Sequence, residues 1–150
     1  MRIAIGDTLA QSVAAMWPRV TSTEFILRMS DPYLRYDMRT PNPAPSHFEH
    51  GKRYRMIGKL FGFVPTDTQD VESHVAIKSE GQVREIRNVS TGFPLRWDHI
   101  IRLTANEDGT TTYLDQIDVE AGLLTPAFGS FIRFIFAQRR KNWKIEFGKP

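Results

Sequence analysis

The stretch Thr125–Phe147 narrows the possible folds more than any other part of this chain. Its bulky apolar residues fall at Phe128, Phe131, Ile132, Ile135, Phe136, Trp143 and Phe147, the i, i+3, i+4, i+7 spacing of one helical face. Thr125 is suited to cap an orphan amide, and Pro126 suits a first turn that needs no amide donor. Arg139, Arg140, Lys141 and Lys144 gather at the far end, where cations meet the negative end of the helix dipole. The spacing predicts one long helix over Thr125–Phe147. Each bulky side chain on its stripe contributes about 1.5–3 kcal/mol when buried, so the rest of the chain must supply a surface to cover it.

That surface is legible as alternation. From Lys52, Tyr54, Met56 and Leu60 alternate with Arg53, Arg55 and Lys59, until Phe61-Gly62-Phe63-Val64-Pro65 breaks the pattern at a loop. Val71, Ser73, Val75 and Ile77 alternate next, and Gly81 turns the chain into a partner strand over Gln82–Ser90. After a break at Gly92-Phe93-Pro94, strands over Arg96–Thr104 and Thr111–Glu120 are joined by a hairpin loop at Ala105–Gly109. Upstream, Arg2–Gly6 reads as a strand. Asp7 and Thr8 then cap a short helix over Leu9–Trp17, which ends near Pro18. Thr21 and Glu24 fit a capping box for a second short helix, stopped at Asp31-Pro32. Leu34–Thr40 is a further strand. The three prolines of residues 41–46 require a stiff loop. Strands in a run with segregated helices predict an α+β domain spanning residues 1–150.

Cysteine is absent, which excludes disulfides, thiolate nucleophiles and Cys-ligated metals. The first residues lack the apolar run of a signal peptide, and no segment approaches the ~18 apolar residues of a membrane span. A cytoplasmic location is therefore expected, with the sequon Asn88-Val89-Ser90 unmodified. The net charge of +3 admits a nucleic-acid or anionic-lipid partner. The basic residues are dispersed, however, so a mildly basic solvated surface is the preferred reading and no nucleic acid is expected.

Trp97-Asp98-His99-Ile100-Ile101-Arg102-Leu103, followed by Thr112-Tyr113-Leu114-Asp115-Gln116-Ile117, resembles the Trp-x-His and Thr-x-x-Asp strands of many bacterial SRPBCC proteins. These form the helix-grip superfamily of START domains and pollen allergens, and the nearest likeness is to the polyketide cyclase/dehydrase-like members. Met16-Trp17-Pro18 and Gly51-Lys52 are similar to the family as well. The resemblance implies a curved antiparallel sheet of about six or seven strands wrapped around the long C-terminal helix, with two short helices near the N-terminus. It also implies a hydrophobic cavity between sheet and helix. Members include aromatase/cyclases, lipid carriers, ubiquinone-binding proteins and co-chaperones, so the fold alone does not assign a function.

Within this frame, Trp97, His99, Ile101 and Leu103 share one face of their strand, and Tyr113, Asp115, Ile117 and Val119 share one face of the next. A loop at Ala105–Gly109 would set His99 directly opposite Asp115. The pair is either a ligand-orienting or proton-transferring device or a satisfied buried pair that fixes register, and the second reading is preferred. His99, Asp115 and Tyr113 are the candidate catalytic groups. Tyr54, Met56, Leu60, Trp97, His99, Ile101, Tyr113, Asp115, Phe128, Phe131, Ile135 and Phe136 are the candidate ligand-binding set. His47-Phe48-Glu49-His50 lacks the i, i+4 histidine spacing of a metalloprotease helix, so no metal is expected. No cofactor is expected either, since there is no phosphate-cradling glycine loop, nucleophile elbow or dinucleotide fingerprint. The leading expectation is binding of a small hydrophobic molecule, such as a lipid, isoprenoid or polyketide-like compound. The alternatives are a cyclase/dehydratase using the His–Asp pair, and an interaction protein that docks through Phe61–Pro65 or the basic helix end.

Overall fold

The computed structural model of the chain describes residues 1–92 and 94–148. Its strands are β1 (Arg2–Leu9), β2 (Leu34–Thr40), β3 (Lys52–Leu60), β4 (Val64–Lys78), β5 (Val83–Thr91), β6 (Arg96–Ala105) and β7 (Thr111–Glu120). Its helices are α1 (Val13–Val20), α2 (Thr23–Arg28) and α3 (Thr125–Phe147). All seven strands form one antiparallel sheet in the order β1-β7-β6-β5-β4-β3-β2. The architecture is an α+β helix grip: the curved sheet wraps α3, and α1 and α2 close one end.

Alternation decides the two faces of the sheet. Along β7, Thr111, Tyr113, Asp115, Ile117 and Val119 are buried in strict period two. The outer face carries cross-strand ion pairs, including Arg55–Asp70, Arg87–Asp98, Arg102–Glu85 and Arg2–Asp118. Bulges in the β2–β3 and β3–β4 ladders bend that edge of the sheet. On α3, the stripe splits its work. Trp143 is fully buried, stacked on Tyr113 with ring centroids 4.1 Å apart and meeting Phe25 edge-on at 5.4 Å. Ile132 and Phe136 pack with Ile3, Ile117 and Val119 in a second cluster.

The N-terminal part corrects the sequence reading. β1 runs on to Leu9, because its ladder with β7 continues to the pair Leu9↔Thr111. Asp7 therefore caps no helix and instead bonds Arg140 and Lys144 of α3. Ser12 caps α1 by accepting from the Ala15 amide, and α1 continues through Pro18 to Val20. Ser22 rather than Thr21 caps α2, while the Thr21 hydroxyl donates to the Trp17 carbonyl of the preceding helix. Glu24 pairs with Arg28 rather than completing a capping box. At α3, Leu124 occupies the N-cap position, and Thr125 Oγ1 accepts from the Ala121 amide, tying down the 3-10 turn at Gly122–Leu124. β4 begins at Val64, earlier than the alternation indicated, so the loop before it shrinks to a tight turn with positive φ at Phe61 and Gly62. The expected break at Gly92-Phe93-Pro94 includes Phe93, which lies outside the described residues.

Candidate functional site

Four buried polar side chains meet at the centre of the grip. Alternation on β7 turns Asp115 inward, where it is 0% exposed. Its Oδ1 lies against His99 Nε2 of β6. Its Oδ2 accepts from the Tyr113 hydroxyl at 2.7 Å and from Arg139 Nε of α3 at 2.7 Å. Arg139 also donates through Nη1 to Ser30 Oγ, 3.2 Å away just beyond α2. Its Nη2 is buried without a hydrogen-bond partner among the described residues. One residue cluster thus ties two strands, the long helix and the lid segment together.

The His99–Asp115 contact forms in a register other than the expected one. His99 lies opposite Ile117, and Asp115 opposite Ile101. The hairpin loop has five residues, as read, but it begins one residue later, since Ala105 pairs with Thr111. Asn106 explains the shift: its amide N–H and its side-chain amide both donate to Thr110. A two-residue slip preserves every inward face, so the two side chains meet across the diagonal rather than head-on.

Electrostatics fix the ionic form of Asp115 and of the neighbouring tyrosines. Burial alone would raise the Asp115 carboxyl, but the charges of Arg139 and His99 overcome it and keep the group well below the usual carboxylate range. Burial and then the charge of Asp115 hold the Tyr113 phenol well above its ordinary value. Burial also pushes the nearby Tyr36 phenol up to about 12, with Arg139 pulling in the opposite direction. Asp115 is a fixed carboxylate that accepts three donors, and both tyrosines are fixed as neutral phenols.

Two cavities that share lining residues lie beside the cluster. The inner chamber, about 50 Å³, has His99, Arg139, Asn88 and Ser30 among its polar lining and Ile135 and Phe136 among its apolar lining. The outer vestibule, about 430 Å³, lies between the bent sheet edge and the first turns of α3, with Leu60, Phe128 and Phe131 in its wall. Leu34, Tyr36, Gln69, Trp97 and Ile132 border both cavities. A larger groove, about 750 Å³, runs over the outer sheet face, but it is floored by the Arg55–Asp70 and Arg53–Glu72 ion pairs. That composition makes it a solvated surface rather than an apolar pocket.

The expected site residues divide accordingly. Met56, Trp97, His99, Ile135 and Phe136 line the inner chamber, and Leu60, Phe128 and Phe131 line the vestibule. Phe136 presents its ring to His99 at a centroid distance of 5.6 Å. Tyr54, Ile101, Tyr113 and Asp115 lie behind the cavity wall: Tyr54 packs edge-on against Phe48, Ile101 is fully buried in the core, and Tyr113 lies under Trp143. Arg139, read from the sequence as part of a dipole-facing cationic cluster, is 4% exposed and belongs to the core. Its position gave a usable signal, since it falls three residues after Phe136 and four before Trp143, on the apolar stripe itself. Ser30, Tyr36, Gln69 and Asn88 were also missed. Each is a polar residue on an inward-facing position, which a binary apolar count passes over.

Of the remaining motifs, Phe48 is buried while His50 continues the β4 ladder by meeting the Val75 backbone. Among the described residues no three His, Asp or Glu side chains are grouped to hold a metal. Phe61 and Phe63 are exposed at the β3–β4 turn, with Phe61 edge-on to Tyr33. Among the described residues no helix is long and apolar enough to cross a membrane.

Residues 7–147 match the model of a family described as a domain of unknown function, DUF8410. No curated protein matches the chain in sequence. Among solved structures, protein CV1439 from Chromobacterium violaceum superposes with a TM-score of 0.64 at 10% identity, covering 99% of this chain and 98% of that one. The hypothetical protein jhp0584 from Helicobacter pylori gives 0.63 at 8% identity, covering 98% and 88%. A START superfamily protein from Mycobacterium smegmatis gives 0.56 at 12% identity, covering 94% and 90%. At these identities the likeness is one of fold.

Proposed function

The chain belongs to the DUF8410 family, and from the cavity enclosed by its grip we propose that it binds a small hydrophobic molecule between the sheet and α3. The observation that carries this reading is the vestibule of about 430 Å³ with mainly apolar walls, which shares five lining residues with a small chamber that holds a few polar groups. Ligand pockets have this composition, a predominantly apolar lining with a few convergent polar groups. An apolar body would occupy the vestibule against Phe128 and Phe131, and a polar tip would point past Trp97 toward His99 and Arg139. Each Å² of apolar ligand surface removed from water contributes about 25 cal/mol, set against the cost of immobilising the ligand. The fold shared with a START superfamily protein suggests a ligand-binding architecture.

Binding is favoured over proton transfer because Asp115 is held ionised. Its carboxyl lies well below the usual carboxylate range, and its three donors make it an anchor for His99 and Arg139. The reading is tested by native mass spectrometry of the protein purified from cells, together with a displacement assay against a lipid and polyphenol panel. Co-purifying hydrophobic mass at one equivalent, or saturable binding of a panel member, is the expected result. An empty protein with no affinity across the panel would overturn the reading.

A further inference from the structure

We infer that the inner chamber is a carboxylate-binding subsite, so that the ligand is an amphiphile bearing one carboxylate head. This deepens the cavity reading above and rests on it. The first observation is Arg139 Nη2, a donor 96% shielded with its residue and left without a protein partner on a side chain that lines the chamber. Buried polar groups are normally satisfied, and an open guanidinium nitrogen is satisfied best by an oxyanion. The rest of the side chain cannot turn away to find another partner: Nε is fixed by Asp115, Nη1 by Ser30, and the guanidinium lies 5.5 Å from the centre of the Phe136 ring. The open nitrogen is therefore presented in a preorganised direction.

The second observation is the charge count. The groups facing His99 are Asp115 and Tyr113 from β7, Arg139 from α3 and Tyr36 from β2. Both tyrosines are neutral, so Asp115 is the single anion of the cluster. That carboxylate already holds Arg139 through Nε, and Nη2 is the guanidinium donor it leaves open. A ligand carboxylate on Nη2 would give that donor the acceptor it lacks.

Size selects among oxyanions. A chamber of about 50 Å³ holds only a few atoms. A planar carboxylate, with two oxygens, asks least of that volume. A tetrahedral phosphate is bulkier and brings more oxygens to be satisfied in a chamber of that size. The aliphatic remainder of the ligand would leave the chamber past Trp97 and Ile132 into the vestibule.

The test compares decanoate with 1-decanol and methyl decanoate on the wild-type protein, by displacement of a fluorescent hydrophobic probe. Decanoate is expected to bind at least about tenfold more tightly than either neutral analogue, as a charge-assisted bond to a buried guanidinium should provide. In Arg139→Gln the preference should fall to within about threefold. The wild-type comparison stands without that variant if it fails to fold. Equal affinity for all three compounds would overturn the carboxylate subsite and leave the hydrophobic-cavity reading in place. Displacement by none of them would overturn both.

Discussion

At the scale of single residues, Asp115 has the largest consequences. It is wholly buried, and three donors converge on it. Removing one partner of such a cluster leaves its counter-charge unpaired in the core, which costs about 3–5 kcal/mol. The same residue sets a pH dependence whose sign follows from its depressed carboxyl. The folded value lies below the unfolded one of about 3.9. Its contribution is therefore complete above that unfolded value and is lost as the pH falls toward the folded one. Urea midpoints measured from pH 7 down to pH 3 should fall steeply at the acid end in the wild type. They should fall less steeply in Asp115→Asn, which is weaker at pH 7 but has no carboxyl to protonate. Parallel slopes in the two proteins would show that the half-buried Asp7 and Asp118 and the exposed Asp70, whose values are also lowered, carry the acid sensitivity.

At the scale of elements, α3 has two halves with different work. Trp143 is sealed between Tyr113, Phe25 and Phe147, so Trp143→Ala should destabilise by about 3–5 kcal/mol and leave ligand preference unchanged. Phe131 is partly exposed on the vestibule wall. Phe131→Ala should cost less stability and shift preference toward bulkier ligands, as read by denaturation midpoints and the displacement panel side by side. A pure stability loss at Phe131, with preference untouched, would make the first half of the helix plain core. This division was half legible in the sequence. The stripe gave the boundaries of α3 and its buried face, because helical periodicity survives one polar member. It hid Arg139, because a dipole explanation accounted for a cation near the helix end. On the sheet, period two fixed which side chains of β6 and β7 face inward, but a hairpin's register depends on turn geometry, and Asn106 moved it by two. Between Asp7 and Thr23 several residues were equally good caps. The choice of Ser12 and Ser22 was made by the length of the β1–β7 ladder and the docking of α1 and α2, which are tertiary facts.

At the scale of the whole molecule, the grip is built solid at one end and hollow at the other. Trp143, Phe147, Leu9, Met16 and Phe25 fill the end closed by the short helices. The cavity lies toward the other end, where β2–β4 bend away and α3 begins. A ligand that binds this folded form and not the unfolded chain must stabilise it, by about 2.7 kcal/mol at a hundredfold excess over Kd. Location tests this most directly. Backbone amide shifts of the isotopically labelled protein, followed by NMR during titration with decanoate, should change in a saturable way around Trp97, His99, Ile132 and Arg139, where sheet and helix face each other across the cavity. Saturable changes confined to the outer-face groove around Arg55 and Asp70, or no changes at any concentration, would contradict a ligand cavity inside the grip.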